Sequence, residues 1–153
     1  MTDTPPHPLP LKSIRILMAE DNDMDVYLAR EAFSQGRLTV DLDVVENGVE
    51  VLAYLRREGP FADKPTPDLV LMDINMPRLD GLSALRAIRA DPLLRTTPVV
   101  ILTTSDAESD VLRSYENFAN AYIVKPVSMD SFFTVVRTFE EFWFAVVRLP
   151  GRT

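Results

Sequence analysis

The chain has 153 residues, 46% hydrophobic and 25% charged, which suits one globular domain with a sizeable core and leaves no room for a second module of ordinary size. Its formal charge of -7, from 23 acids against 16 Lys and Arg, disfavours nonspecific binding to nucleic acid or to an anionic membrane, and permits a cation site built from acids. With no cysteine, disulfides, thiolate metal sites and a thiol nucleophile are excluded, and the lack of an apolar signal core at the N-terminus makes a cytoplasmic protein the expectation.

Residues 1–12, "MTDTPPHPLPLK", hold four prolines and no periodicity, so they read as a mobile tail that carries His7. Residues 13–149 read as the folded domain. "IRILMA" (14–19) is a short apolar run, hence a strand. Residues 23–36 place Val26, Ala29 and Phe33 at helical spacing, with Gly36 as a stop. Residues 38–45 alternate Val40, Leu42 and Val44 and read as a strand. Residues 47–59 put Val51, Leu52 and Leu55 on one helical face, with Asn47 as N-cap and Gly59 as stop. The loop "REGPFADKPTP" (57–67) is longer than the pattern requires. "DLVLMD" (68–73) is a strand, and 80–91 a helix with Leu82, Leu85 and Ile88 inward. "PVVILTT" (98–104) is a strand, 106–118 a helix and "AYIV" (121–124) a short strand. A last helix covers 128–147, opened by Ser128 or Ser131. Arg137, Glu140, Glu141 and Arg148 argue against a membrane span in its apolar-rich stretch.

Five strands alternate with five helices, and strands of continuous apolar residues flanked by helices are the signature of a parallel α/β sheet covered on both faces. In such sheets the ligand site lies beyond the C-terminal ends of the strands. The residues there are Glu20 and Asp21 after the first strand, Asp73 after the third, Thr103 and Thr104 at the end of the fourth and Lys125 after the fifth. Each has a plainer reading alone: a cap, a turn residue, a β-former, a solvated lysine. Together they put three carboxylates, two hydroxyls and an ammonium at one edge. Close carboxylates repel, and oxygen ligands without His or Cys suit a hard cation that keeps its waters, Mg²⁺. Asp73 can then act as a nucleophile toward a phosphoryl group, with Lys125 and Thr103 supplying charge and a hydroxyl.

The stretches "ILMAEDN" (16–22), "DLVLMDINMPRLDG" (68–81), "PVVILTTS" (98–105) and "AYIVKP" (121–126) resemble the response regulator receiver domains of two-component signalling. The resemblance covers roughly residues 14–147 and implies the receiver (flavodoxin-like) fold, a five-stranded parallel sheet with five helices. It implies Asp73 as the phosphorylated residue, and Asp21, Asp73, Glu20 through water and the Asn75 carbonyl as the Mg²⁺ site. Thr103 and Tyr122 become the switch pair, and Lys125 the phosphoryl-stabilising lysine before a cis Pro126. Residues 119–150, with "RSYENFANAYIVKP" and "EFWFAVVRLP", resemble the response regulators paired with bacterial and cyanobacterial phytochromes. That implies a sensor histidine kinase as partner, a bacteriophytochrome, and no output domain.

The last helix carries more apolar residues than one buried stripe needs. Phe132, Val135, Val136, Phe139, Trp143 and Val146 form a wide band, with Phe133, Phe142, Phe144 and Val147 partly outside it. Either the extra aromatics fold back on the domain, or Phe139, Phe142, Trp143 and Val146 form the interface of a homodimer. Two rival functions stand beside the phosphoacceptor. A haloacid-dehalogenase-type phosphatase would need a second acid where Asn75 stands, and a cap domain. A phosphorylation-independent interaction module would have no need of the acids, Thr103 and Lys125. Nucleotide binding fails because none of the five glycines falls in a phosphate-loop pattern.

Overall fold

The computed structural model describes residues 13–104, 107–125 and 128–146, with side chains to Glu141. Residues 1–12 (with His7), Ser105, Pro126, Val147 and the side chains of Phe142, Trp143, Phe144 and Val146 lie outside the described residues. The elements in chain order are β1 (Ser13–Ala19), α1 (Asp23–Ser34), β2 (Thr39–Val45), α2 (Gly48–Arg56), β3 (Leu69–Met72), α3 (Gly81–Ala90), β4 (Val99–Thr103), α4 (Glu108–Glu116), β5 (Ala121–Val124) and α5 (Met129–Val146). A 3₁₀ turn, Gly59–Phe61, follows α2. The five strands form one parallel sheet in the order β2-β1-β3-β4-β5.

The apolar strands are buried on both faces because alternate side chains point oppositely. Ile14, Ile16 and Met18 of β1, Leu69 and Leu71 of β3, and Val100 and Leu102 of β4 meet Ala29 and Phe33 of α1 and Phe132 and Val136 of α5. Leu17, Val70, Met72, Val99 and Ile101 meet Val51 and Leu55 of α2 and Leu82, Leu85 and Ile88 of α3. Burying each large side chain contributes about 1.5–3 kcal/mol. The sheet reverses its winding between β1 and β3, whose last residues Ala19 and Met72 are paired in register. The connections after these strands lead away to opposite sides and open a crevice over their ends.

Several boundaries differ from the sequence reading for local reasons. Asn22, not Glu20 or Asp21, caps α1, its side chain accepting from the Asp25 N–H. Gly59 does not stop α2. Arg57 does, taking a left-handed conformation at φ 58° despite its Cβ, while Gly59 opens the 3₁₀ turn. Likewise α1 closes at Ser34, ahead of Gly36. Asn47 caps α2 as expected, accepting from the Glu50 N–H, and Ser128 Oγ accepts from the Ser131 N–H at the start of α5. The long loop is held by the Phe61 ring tilted on Tyr54, with centroids 5.3 Å apart, and by Lys64 3.5 Å from Asp43.

Candidate functional site

Glu20 and Asp21 are the first two residues after β1 and Asp73 the first after β3, and β1 and β3 are neighbours, so their carboxylates converge. One oxygen of each lies within 4.8 Å of the others. Glu20 and Asp73 are buried, and Asp21 faces solvent. The backbone pins both strand ends: the Glu20 N–H donates to Val45 O (2.9 Å) and the Asp73 N–H to Ala19 O (3.1 Å). Asp73 Oδ1 accepts from the Ile74 N–H at 2.7 Å.

Two glycines clamp the loop from Ile74 to Asp80. The Gly81 N–H donates to Ile74 O at 2.8 Å and the Gly48 N–H to Leu79 O at 2.9 Å. A Cβ on Gly81 would lie 2.0 Å from Asp73 O, and one on Gly48 2.5 Å from Leu79 O, so neither helix start could approach this closely with a side chain there. Within the loop Arg78 takes φ 67°, and Asn75 is exposed two residues beyond Asp73.

Lys125 enters from the end of β5, its N–H donating to Thr103 O at 2.7 Å. Its ammonium donates to Asp25 Oδ2 at 2.7 Å and to Asp73 Oδ2 at 3.0 Å. It also lies 2.5 Å from Glu20 Oε1 as an ion pair, without the alignment of a hydrogen bond. Burial alone would lower the lysine pKa, but Asp25, Glu20 and Asp73 outweigh it and raise the value, which keeps the ammonium charged. Burial pushes the Glu20 carboxyl up to about 6; Lys125 opposes the rise and the Asp73 charge adds to it.

The structure brings Glu20, Asp21, Asp73 and Lys125 together as the sequence implied. Thr103 is fully buried at the end of β4, and Tyr122 sits half-buried on β5 against the core beneath α2 and α3. Phe139 is also half-buried, packed on the core beside α1, so its own domain takes part of the face assigned to a partner. The cis bond expected at Pro126 and the aromatics after Glu141 fall outside the described residues. Two functional groups were missed. Asp25 passes in the sequence for one more acid in an acidic first turn, and its signal is its position three residues after a capping Asn. Glu140 was read only as one of the charges that argue against a membrane span, whereas it is buried, accepting from the Leu38 N–H at 2.8 Å.

The donor set fits a hard divalent ion. Among the described residues, three carboxylates converge within reach of one another with only the Lys125 ammonium to balance them, and no His or Cys competes. Glu20, Asp21 and Asp73 would hold it.

Residues 16–137 match the response regulator receiver domain. Response regulator Rcp1 of Synechocystis sp. is 36% identical over 136 residues, covering 89% of this chain and 92% of Rcp1. The Mn²⁺-bound structure of Rcp1 aligns at a TM-score of 0.82 and 36% identity, over 90% of this chain and 99% of that one. The phosphorylated cyanobacterial phytochrome response regulator RcpA aligns at 0.84 and 39% identity, over 91% and 99% of the two chains. RPA3017, a response regulator in red light signalling of R. palustris, aligns at 0.83 and 35%, over 90% and 98%. This chain belongs to the response regulator receiver domain family, the divalent-metal-binding phosphoacceptor modules of two-component signalling.

Proposed function

We propose that Asp73 is the phosphoacceptor and that a sensor histidine kinase is the donor. The observation that carries this is one buried carboxylate at the end of β3, 3.0 Å from a buried ammonium and beside two further acids. A carboxylate oxygen of Asp73 attacks the phosphorus of the kinase phosphohistidine. The new O–P bond forms as the N–P bond breaks, and the imidazole leaves and takes a proton from solvent. The negative charge of Asp73 passes outward to the phosphoryl oxygens. Lys125 follows it, and Thr103 turns its hydroxyl toward it. Tyr122 moves further inward beside Thr103, changing the α4–β5 surface. Such a switch shifts a population between two conformations.

Mg²⁺, held by Glu20, Asp21, Asp73 and the Asn75 carbonyl, would neutralise the carboxylates and the arriving phosphoryl oxygens. Likeness to RcpA and RPA3017 supports a phytochrome as the kinase, and the Asn75 position speaks against a phosphatase. Leu112, Tyr115, Phe118 and Val124 are exposed on and around α4 and β5, which supports a partner surface on this side. With Phe139, Phe142, Trp143 and Val146 of α5, that surface would join two copies in a homodimer.

The test is labelling by a small phosphodonor with Mg²⁺. Wild-type protein incorporates phosphate and Asp73→Asn does not; equal labelling of the variant removes Asp73 from the role.

A further inference from the structure

Asp25 holds the ammonium at the centre of the pocket at 2.7 Å, nearer than Asp73 at 3.0 Å, with only Glu20 closer at 2.5 Å. Its placement follows from how α1 begins. An acid at the third position of a helix commonly turns back to the N–H of the cap residue. Here the Asn22 N–H already donates to Glu20 Oε2 at 3.1 Å, and Asn22 Oδ1 takes the Asp25 N–H at 3.0 Å. The Asp25 carboxylate is thereby released toward Lys125. Its side chain is 21% exposed, against 2% for Glu20 and 9% for Asp73, so it sits on the solvent side of the ammonium.

An ammonium has three N–H groups, and three carboxylates already surround this one. A phosphoryl group on Asp73 carries its negative charge further out than the carboxylate did. It needs the ammonium to turn outward, away from partners already in place. We propose that Asp25 competes with the phosphoryl group for the Lys125 ammonium and so weakens the pocket's hold on that group. The inference rests on Asp73 being the phosphoacceptor. Asp25 is a positioning residue, acting through where the Lys125 nitrogen sits.

The test titrates trifluoroberyllate, a tetrahedral phosphoryl mimic, into the full chain at saturating Mg²⁺, with affinity read by calorimetry. Asp25→Asn and Asp25→Ser each bind about fivefold more tightly than wild type, the effect of one partly exposed charge. Asp25→Glu, which keeps the charge, returns to near wild-type affinity. In a Lys125→Ala background, adding Asp25→Asn changes nothing. Unchanged or weaker binding in the two uncharged variants overturns the proposal, as does a gain that persists without Lys125. A wild-type protein that takes neither the mimic nor a phosphoryl group on Asp73 overturns the phosphoacceptor reading instead.

Discussion

A lysine side chain only 4% exposed survives in the interior because carboxylates surround it, and they in turn depend on it. Removing one member of such a buried set costs about 3–5 kcal/mol, since the partners keep their charge. Lys125→Ala should therefore lower the urea midpoint in metal-free buffer, and added Mg²⁺ should recover part of the loss. A second polar pair, half-buried between α2 and β2, is made where the Tyr54 hydroxyl donates to Asp43 Oδ2. Burial and the Asp43 carboxylate raise the Tyr54 phenol above its ordinary value near 10. The bond exists only while the phenol keeps its proton. Its contribution is thus full below the unfolded phenol's range and is lost as pH climbs beyond it toward the raised folded value. Tyr54→Phe should cost about 1–2 kcal/mol at neutral pH and should flatten the fall in stability above pH ~10, as chemical denaturation across pH would show.

Among the elements, the β3–α3 loop carries the tightest steric demand. Gly81→Ala must push a Cβ against the backbone of Asp73, which costs about 1–3 kcal/mol and shifts the carboxylate itself. Thermal melts should show the stability loss, and small-donor labelling should slow with it. On the other side of the sheet, α5 is tied to the α1–β2 connection by Glu140. Glu140→Ala leaves the buried Leu38 N–H without its acceptor and should cost about 1–3 kcal/mol, read as a lowered melting temperature. The strands and helices were legible because continuous apolar runs and 3.6-residue spacings answer to local rules. Arg57 ending α2 was not, because a non-glycine residue took the left-handed cap and bonded back onto Ala53 and Tyr54, and Glu140 facing inward was not, because its partner Leu38 is distant in sequence. Asp25 was hidden for the same reason: its partner is Lys125, one hundred residues away.

For the molecule as a whole, the sheet order makes the pocket a meeting point of β1, β3, β4 and β5. The gathering of Glu20, Asp21, Asp73 and Lys125 could be read from the sequence because parallel strands bring every C-terminal end to one edge. An ion bound there is bound only by the folded chain, so Mg²⁺ at about a hundredfold excess over its dissociation constant should add roughly 2.7 kcal/mol of stability. Scanning calorimetry should show a rise of several degrees that chelator reverses. Among the described residues no helix is long and apolar enough to cross a membrane.

The Glu140–Leu38 bond joins positions 102 residues apart. A chain emerging from the ribosome can pair β1 with β2 early, yet the amide just before β2 waits for 102 further residues before meeting its acceptor. Nascent chains stalled ahead of position 140 would keep the seam beside α1 open, and a protease would find its entry there.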